Sequence, residues 1–167
     1  QAITPFHTSL RVVTYNALAN VHEQRKHKPI PTGHRLPCLL IEILTVQPDV
    51  ACLQEIDQPM VERFWRPHLE RAGYESLFAS KQGQAREGLL FIYKKESISL
   101  DKYSVIPLFD ETQSNNQIRT IAQIIDLRSC IDASFSFRIA NTHLYFENQA
   151  TAVRCKQMHA MLAQSPH

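Results

Sequence analysis

Four polar side chains stand where apolar segments of the chain run out. Asn16 follows Leu10 to Tyr15, Glu55 follows Asp49 to Gln54, and Asn141 and His143 follow Ser134 to Ala140. An amide, a carboxylate and an imidazole delivered to one place suit metal-assisted phosphate chemistry. Glu55 is a hard oxygen donor of the kind Mg²⁺ accepts alongside waters and substrate phosphate. It could equally be a helix-capping or solvent-facing acid, since unpartnered carboxylates are rarely buried. Asn16 could hold a metal-bound water or a neighbouring imidazole without adding charge, or simply close a turn through its own backbone. His143 could donate a hydrogen bond to a phosphate oxygen as charge develops, or be a satisfied structural histidine. Arg119 could clamp phosphate in bidentate fashion, or pair across strands with Asp126 or Glu111.

These groups need rigid elements behind them. Leu10 to Asn16 reads as a first strand and Asp49 to Glu55 as a second, buried on both faces. Between them Asn20 to Gly33 is polar, basic and proline-bearing, which predicts a loop. Leu36, Leu39, Leu40, Ile43 and Leu44 recur with helical spacing, Pro37 fitting a first turn, and this helix should stop before Pro48. A second helix is predicted from about Pro59 to a C-terminal cap at Gly73. Strands follow at 74–79, 89–93 and 97–103, then a long polar loop through Asn116. Gln117 to Leu127 and Ser134 to Ala140 read as paired strands, Phe135, Phe137 and Ile139 alternating with polar residues. Ala152, Cys155, Met158 and Leu162 mark the inner face of a last helix. Helices early and late around mixed strands predict an α/β class.

Bulk properties narrow the function less. The 167 residues carry a formal charge near +2, so bulk electrostatics demand no nucleic-acid partner. Basic clusters at 25–28 and 81–86 are ordinary solvated surface or local contacts. No apolar run is long enough to span a bilayer. The four cysteines show no Cys-x-x-Cys or Cys/His zinc spacing, and a reducing, cytoplasmic compartment is the simpler expectation. Cys52 in a strand and Cys155 on a helix are expected to act as small hydrophobes. Four glycines in all disfavour dinucleotide and P-loop folds, and no nucleophile elbow flanks Ser97 or Ser104. The chain begins at Gln1 without a methionine, so its start is expected to be trimmed or internal.

Four strings in order, Val-Val-Thr-Tyr-Asn16-Ala-Leu-Ala, Asp49-Val-Ala-Cys-Leu-Gln-Glu55-Ile-Asp, Glu87-Gly-Leu-Leu-Phe-Ile-Tyr and Ala-Asn141-Thr-His143-Leu-Tyr-Phe, resemble the endonuclease/exonuclease/phosphatase superfamily. Tyr-Asn-x-Leu-Ala and Asn-Thr-His-Leu-Tyr are most similar to its branch of poly(A) deadenylases, Angel proteins and the 2′-phosphodiesterase. The resemblance runs from about residue 10 to 163. It implies the N-terminal half of a four-layer α/β/β/α sandwich with a mixed, mainly antiparallel sheet, behind a tail over residues 1–9. It further implies a Mg²⁺ (or Mn²⁺) phosphodiesterase or nuclease acting on RNA or oligoadenylate. In that reading Glu55 ligates the metal with support from Asn16, His143 contacts the scissile phosphate, and Asn141 and Arg119 touch substrate.

Members of that family continue into an Asp-x-Asn strand end and a terminal Asp-His pair. Neither follows His143 before His167, which predicts a domain lacking its C-terminal catalytic groups over residues 10–167, with little turnover and an uncovered apolar face. A second polypeptide completing the fold is one expectation. An inactive nucleic-acid- or protein-binding module is the main alternative, and a small-molecule phosphatase or phospholipid phosphodiesterase a third. No membrane partner is expected.

Overall fold

The computed structural model describes residues 9–23, 28–81, 86–108 and 120–164. Two sheets lie face to face. In the first, β1 (Val12–Asn16), β2 (Val50–Asp57), β4 (Glu87–Lys94) and β3 (Tyr74–Ser80) run in the order β1-β2-β4-β3. Only β1 and β2 pair in parallel; β2 with β4 and β3 with β4 are antiparallel. The second sheet is antiparallel throughout, in the order β5 (Ile98–Pro107), β6 (Ile121–Ser129), β7 (Ser136–Thr142).

Strand periodicity explains the layering. In a strand successive side chains point to opposite faces. Val50 and Cys52 of β2, with Phe91 and Tyr93 of β4, pack on Ile98, Ile125 and Leu127 of the second sheet. The alternate residues Ala51, Leu53, Leu90 and Ile92 face the other way, onto Leu36, Leu40 and Ile43 of α2 (Thr32–Thr45) and onto Val61, Trp65 and Leu69. Beyond the second sheet, Ala122 and Ile124 meet Met161 of α5 (Thr151–Ala163). The result is helix, sheet, sheet, helix, the α/β/β/α layering that the resemblance implies. No described helix is long and apolar enough to cross a membrane.

Several local expectations need revision. The polar stretch after β1 contains a short helix, α1 (Asn20–Glu23), rather than loop alone. Pro37 sits at the sixth residue of α2, not in its first turn, because the helix starts at Thr32 behind Pro31. The second helical segment is three pieces: α3 (Gln58–Met60), a π-helical turn at Val61–Trp65, and α4 (Arg66–Arg71). It ends at Gly73, whose φ of +86° takes the left-handed conformation a helix stop often needs. The fifth strand runs on to Pro107, while most of the loop expected behind it lies outside the described residues.

The inner face of α5 differs by a single residue step. Val153, Gln157 and Met161 are buried, whereas Cys155, Met158 and Leu162 are exposed. A polar contact decides the rotation: Gln157 accepts the Tyr145 amide at 3.0 Å and donates to the Leu108 carbonyl at 3.4 Å. A buried carbonyl and a half-buried amide are satisfied by a residue that apolar periodicity assigns to solvent. Cys155 is therefore not packed as expected, whereas Cys52 is buried.

Candidate functional site

The site forms where β1, β2 and β7 end together. Its central device is a bulge in β2. Leu53 pairs with Leu90 and Ile56 with Gly88, so three steps along β2 match two along β4. A bulge inserts one residue and re-aims the side chains around it. Without it, Glu55 would follow Ala51 and Leu53 onto the helix side and enter the apolar core. With it, Ile56 takes that place and Glu55 is turned toward the end of β1. The backbone registers the cost, for Glu55 has a φ of +55°. That region is unfavourable for a residue with a Cβ by roughly 1–3 kcal/mol and persists where the surroundings enforce it.

The Glu55 carboxylate is held on both oxygens. Asn16 Nδ2 donates to Oε1 at 2.8 Å, and the Ala19 amide donates to Oε2 at 3.2 Å. His143 Nδ1 lies 3.8 Å from Oε1 and His22 Nε2 4.0 Å from Oε2. Burial (8% exposed) alone would raise this carboxyl's pKa. The bonds from Asn16 and Ala19 and the nearby imidazoles outweigh it, and the acid stays ionised below its ordinary value. His143 is shifted down by burial first and then by the Lys81 ammonium, with Glu55 and Glu87 opposing.

Asn16 orients this carboxylate, and its own Oδ1 accepts the Leu18 amide at 2.9 Å. Both ends of its amide are engaged within the chain, which is the placement of an aligning group more than of a direct ligand. Asn141 belongs to a different layer. It is 1% exposed and ties the two sheets together, donating to the Leu53 carbonyl at 3.3 Å and Gln123 Oε1 at 2.9 Å. Its Oδ1 accepts from Gln54 Nε2 at 3.0 Å. Its amide is spent between the sheets and is not presented to a substrate. Arg119 lies outside the described residues.

The structure adds residues that sequence reasoning did not single out. Glu87 Oε2 lies 3.5 Å from His22 Nε2, and Lys81 Nζ holds Glu87 Oε1 at 2.6 Å. Glu87 opens β4 immediately before Gly88, where a Cβ would come within 2.1 Å of the Ala79 carbonyl oxygen. That glycine lets β3 close on β4 and sets Glu87 beside Glu55. In a chain with so few glycines, an acid before a glycine at a strand start was the available signal. Arg35 anchors the segment that leads into α1, the short helix that carries His22. Its guanidinium donates to the Ala17 carbonyl and, at 3.1 Å, to Asn20 Oδ1. Asp57 accepts the Asn20 amide through both oxygens. Burial raises the Asp57 carboxyl, opposed by that amide and by Arg35.

The donor set fits a divalent cation. Two largely buried carboxylates converge, Lys81 pairs with one oxygen of Glu87, and Glu87 Oε2 and His143 Nδ1 are buried without a hydrogen bond among the described residues. Buried polar atoms are normally satisfied, and an ion is one way of satisfying them.

No family model matches the chain. Human 2′,5′-phosphodiesterase 12 is 27% identical over 189 residues, covering 95% of this chain and 30% of its own length. The crystal structure of ANGEL2, described as a 2′,3′-cyclic phosphatase, superposes with a TM-score of 0.81 at 25% identity, over 93% of this chain and 46% of that one. The human Nocturnin catalytic domain gives 0.80 at 25% identity, over 93% and 57%. The chain thus spans about a third of the curated relative and about half of these solved chains.

Proposed function

We propose, for a chain that belongs to the endonuclease/exonuclease/phosphatase superfamily on the side of the Angel proteins and the 2′,5′-phosphodiesterase, that it carries the cation- and phosphate-binding groups of a Mg²⁺-dependent phosphodiesterase directed at RNA or oligoadenylate. The observation that supports this reading most is the Glu55 carboxylate, thrown out of its strand by a bulge and aligned by Asn16 and the Ala19 amide beside His143.

A bound divalent cation supplies electrophilic activation of the phosphoryl group and a nucleophilic water. The chain's own residues supply its seat. Glu55 offers hard oxygen donors, which Mg²⁺ and Mn²⁺ both accept. Asn16 and the Ala19 amide fix the carboxylate's orientation, which otherwise costs reorganisation at each turnover. His143, partly exposed at 27% of its side chain, donates a hydrogen bond to a phosphate oxygen. Lys81 adds a positive charge on the same side. Among the described residues no Asp–His ion pair forms that could activate water, and that step falls to groups beyond this set, on this polypeptide or a second one.

Single-turnover cleavage of 2′,5′- and 3′,5′-linked oligoadenylates in Mg²⁺ tests this directly. A missing base slows such chemistry on the order of 10²–10⁴-fold, so slow cleavage that both EDTA and Glu55→Gln remove is the expected result. Cleavage indifferent to Glu55→Gln overturns the proposal. A phosphomonoester and a phospholipid run beside these substrates separate the other hydrolase classes.

A further inference from the structure

The Glu55 carboxylate does not stand alone against its cation. His22 Nε2, a Glu55 oxygen and a Glu87 oxygen all lie within 4.8 Å of one another. His22 Nε2 lies 3.5 Å from Glu87 Oε2 and 4.0 Å from Glu55 Oε2. Ligands at about 2.0–2.2 Å from one ion stand roughly 3–4.4 Å apart, from adjacent to opposite positions. The three donors therefore surround one ion's volume with shifts of tenths of an ångström.

A separate observation points the same way. Glu87 is 8% exposed, and its Oε2 is buried without a hydrogen bond, while Lys81 is held on the other oxygen. A carboxylate fixed on one oxygen and open on the other, facing an imidazole nitrogen, is set as a ligand oriented by its neighbour.

Resting on the function proposed above, we infer that His22 and Glu87 join Glu55 as ligands of one cation, and that this imidazole-containing set selects a first-row transition ion over Mg²⁺. Magnesium keeps to oxygen donors and holds its waters, whereas imidazole is a good ligand for first-row transition ions. The chain places this histidine by tying down the segment that enters α1: Arg35 holds the Ala17 carbonyl, Asp57 the Asn20 amide, and Glu55 the Ala19 amide.

The probe is Mn²⁺ alone, followed by loss of its free-ion EPR signal on adding the 167-residue chain, with Mg²⁺ as competitor. The expected result is Mn²⁺ bound at least about tenfold more tightly than Mg²⁺. His22→Ala should lower Mn²⁺ affinity by about 10–100-fold, the range seen when a supporting group is lost from a metal site, and leave Mg²⁺ within about threefold. Glu87→Gln, which keeps the side-chain shape and a Lys81 partner, should weaken both ions, and circular dichroism shows that each variant folds. Equal Mn²⁺ affinity in the parent and in His22→Ala overturns the inference while leaving the proposed function standing. Mn²⁺ binding that survives Glu55→Gln overturns the function proposal instead.

Discussion

Replacing Asn141 by alanine separates a structural amide from a substrate contact. Asn141 makes three hydrogen bonds in the dry layer between the sheets. Gln54 Nε2 would keep Thr14 Oγ1 at 3.1 Å and the Cys52 carbonyl at 3.0 Å. Gln123 is fully buried and would lose the bond to its Oε1, while its Nε2 stays on the Leu77 carbonyl and the Tyr103 hydroxyl. One stranded acceptor costs about 1–3 kcal/mol and the weaker bond to Leu53 about 1 kcal/mol more, giving about 2–4 kcal/mol in all. In a domain of this size that lowers the melting temperature by roughly 4–16 °C. The assay is urea and thermal unfolding of both proteins, with Mg²⁺ affinity measured on the folded variant. A stability change below about 0.5 kcal/mol, typical of an exposed polar residue, would refute the placement of this amide between the sheets.

Other outcomes follow from single features. Cys52 is buried and its thiol is pushed up to about 12 by that burial, so alkylation at pH 8 should reach exposed Cys38, Cys130 and Cys155 and spare Cys52 until the chain unfolds; mass spectrometry after a pulse of iodoacetamide reads this. Gly88→Ala should destabilise the fold by about 3 kcal/mol or more, because the new methyl would meet backbone at Ala79 and neither strand can step aside; urea unfolding measures it. Arg138 holds the Asp126 carboxyl below its ordinary value by a hydrogen bond. That stability is present above the unfolded-state carboxyl pKa and is lost as pH falls through the lower folded-state value, and at this exposed position it is worth under about 1 kcal/mol. Asp126→Asn should remove the corresponding part of the acid-side slope in a stability–pH curve.

Much of the fold was legible because burial enforces periodicity. The central strands of the first sheet, β2 and β4, are buried on both faces and read as apolar runs, and α2 shows its inner face as Leu36, Leu40 and Ile43. Elements decided by polar contacts were less visible. Gln157 turns α5 by one residue, and α1 is held by Asn20, Asp57 and Arg35, none of which alters hydropathy. At the site, Glu55 was legible as an acid after an apolar strand. The bulge that gives it its direction was not, because one extra residue leaves no mark in composition. His22 and Glu87 meet Glu55 from distant parts of the chain, and only the pairing of β2 with β4 and the tied-down loop after β1 bring them together.

The central claim is that Glu55 holds a divalent cation through which a phosphodiester is bound. Fluorescence anisotropy of a labelled oligoadenylate, titrated with the chain and with Glu55→Gln, each in Mg²⁺ and in EDTA, tests it most directly. Mg²⁺ is expected to strengthen binding by the parent chain by about tenfold, near 1.4 kcal/mol, and to leave Glu55→Gln unchanged. An equal response to Mg²⁺ in both proteins, or none in either, would contradict the claim.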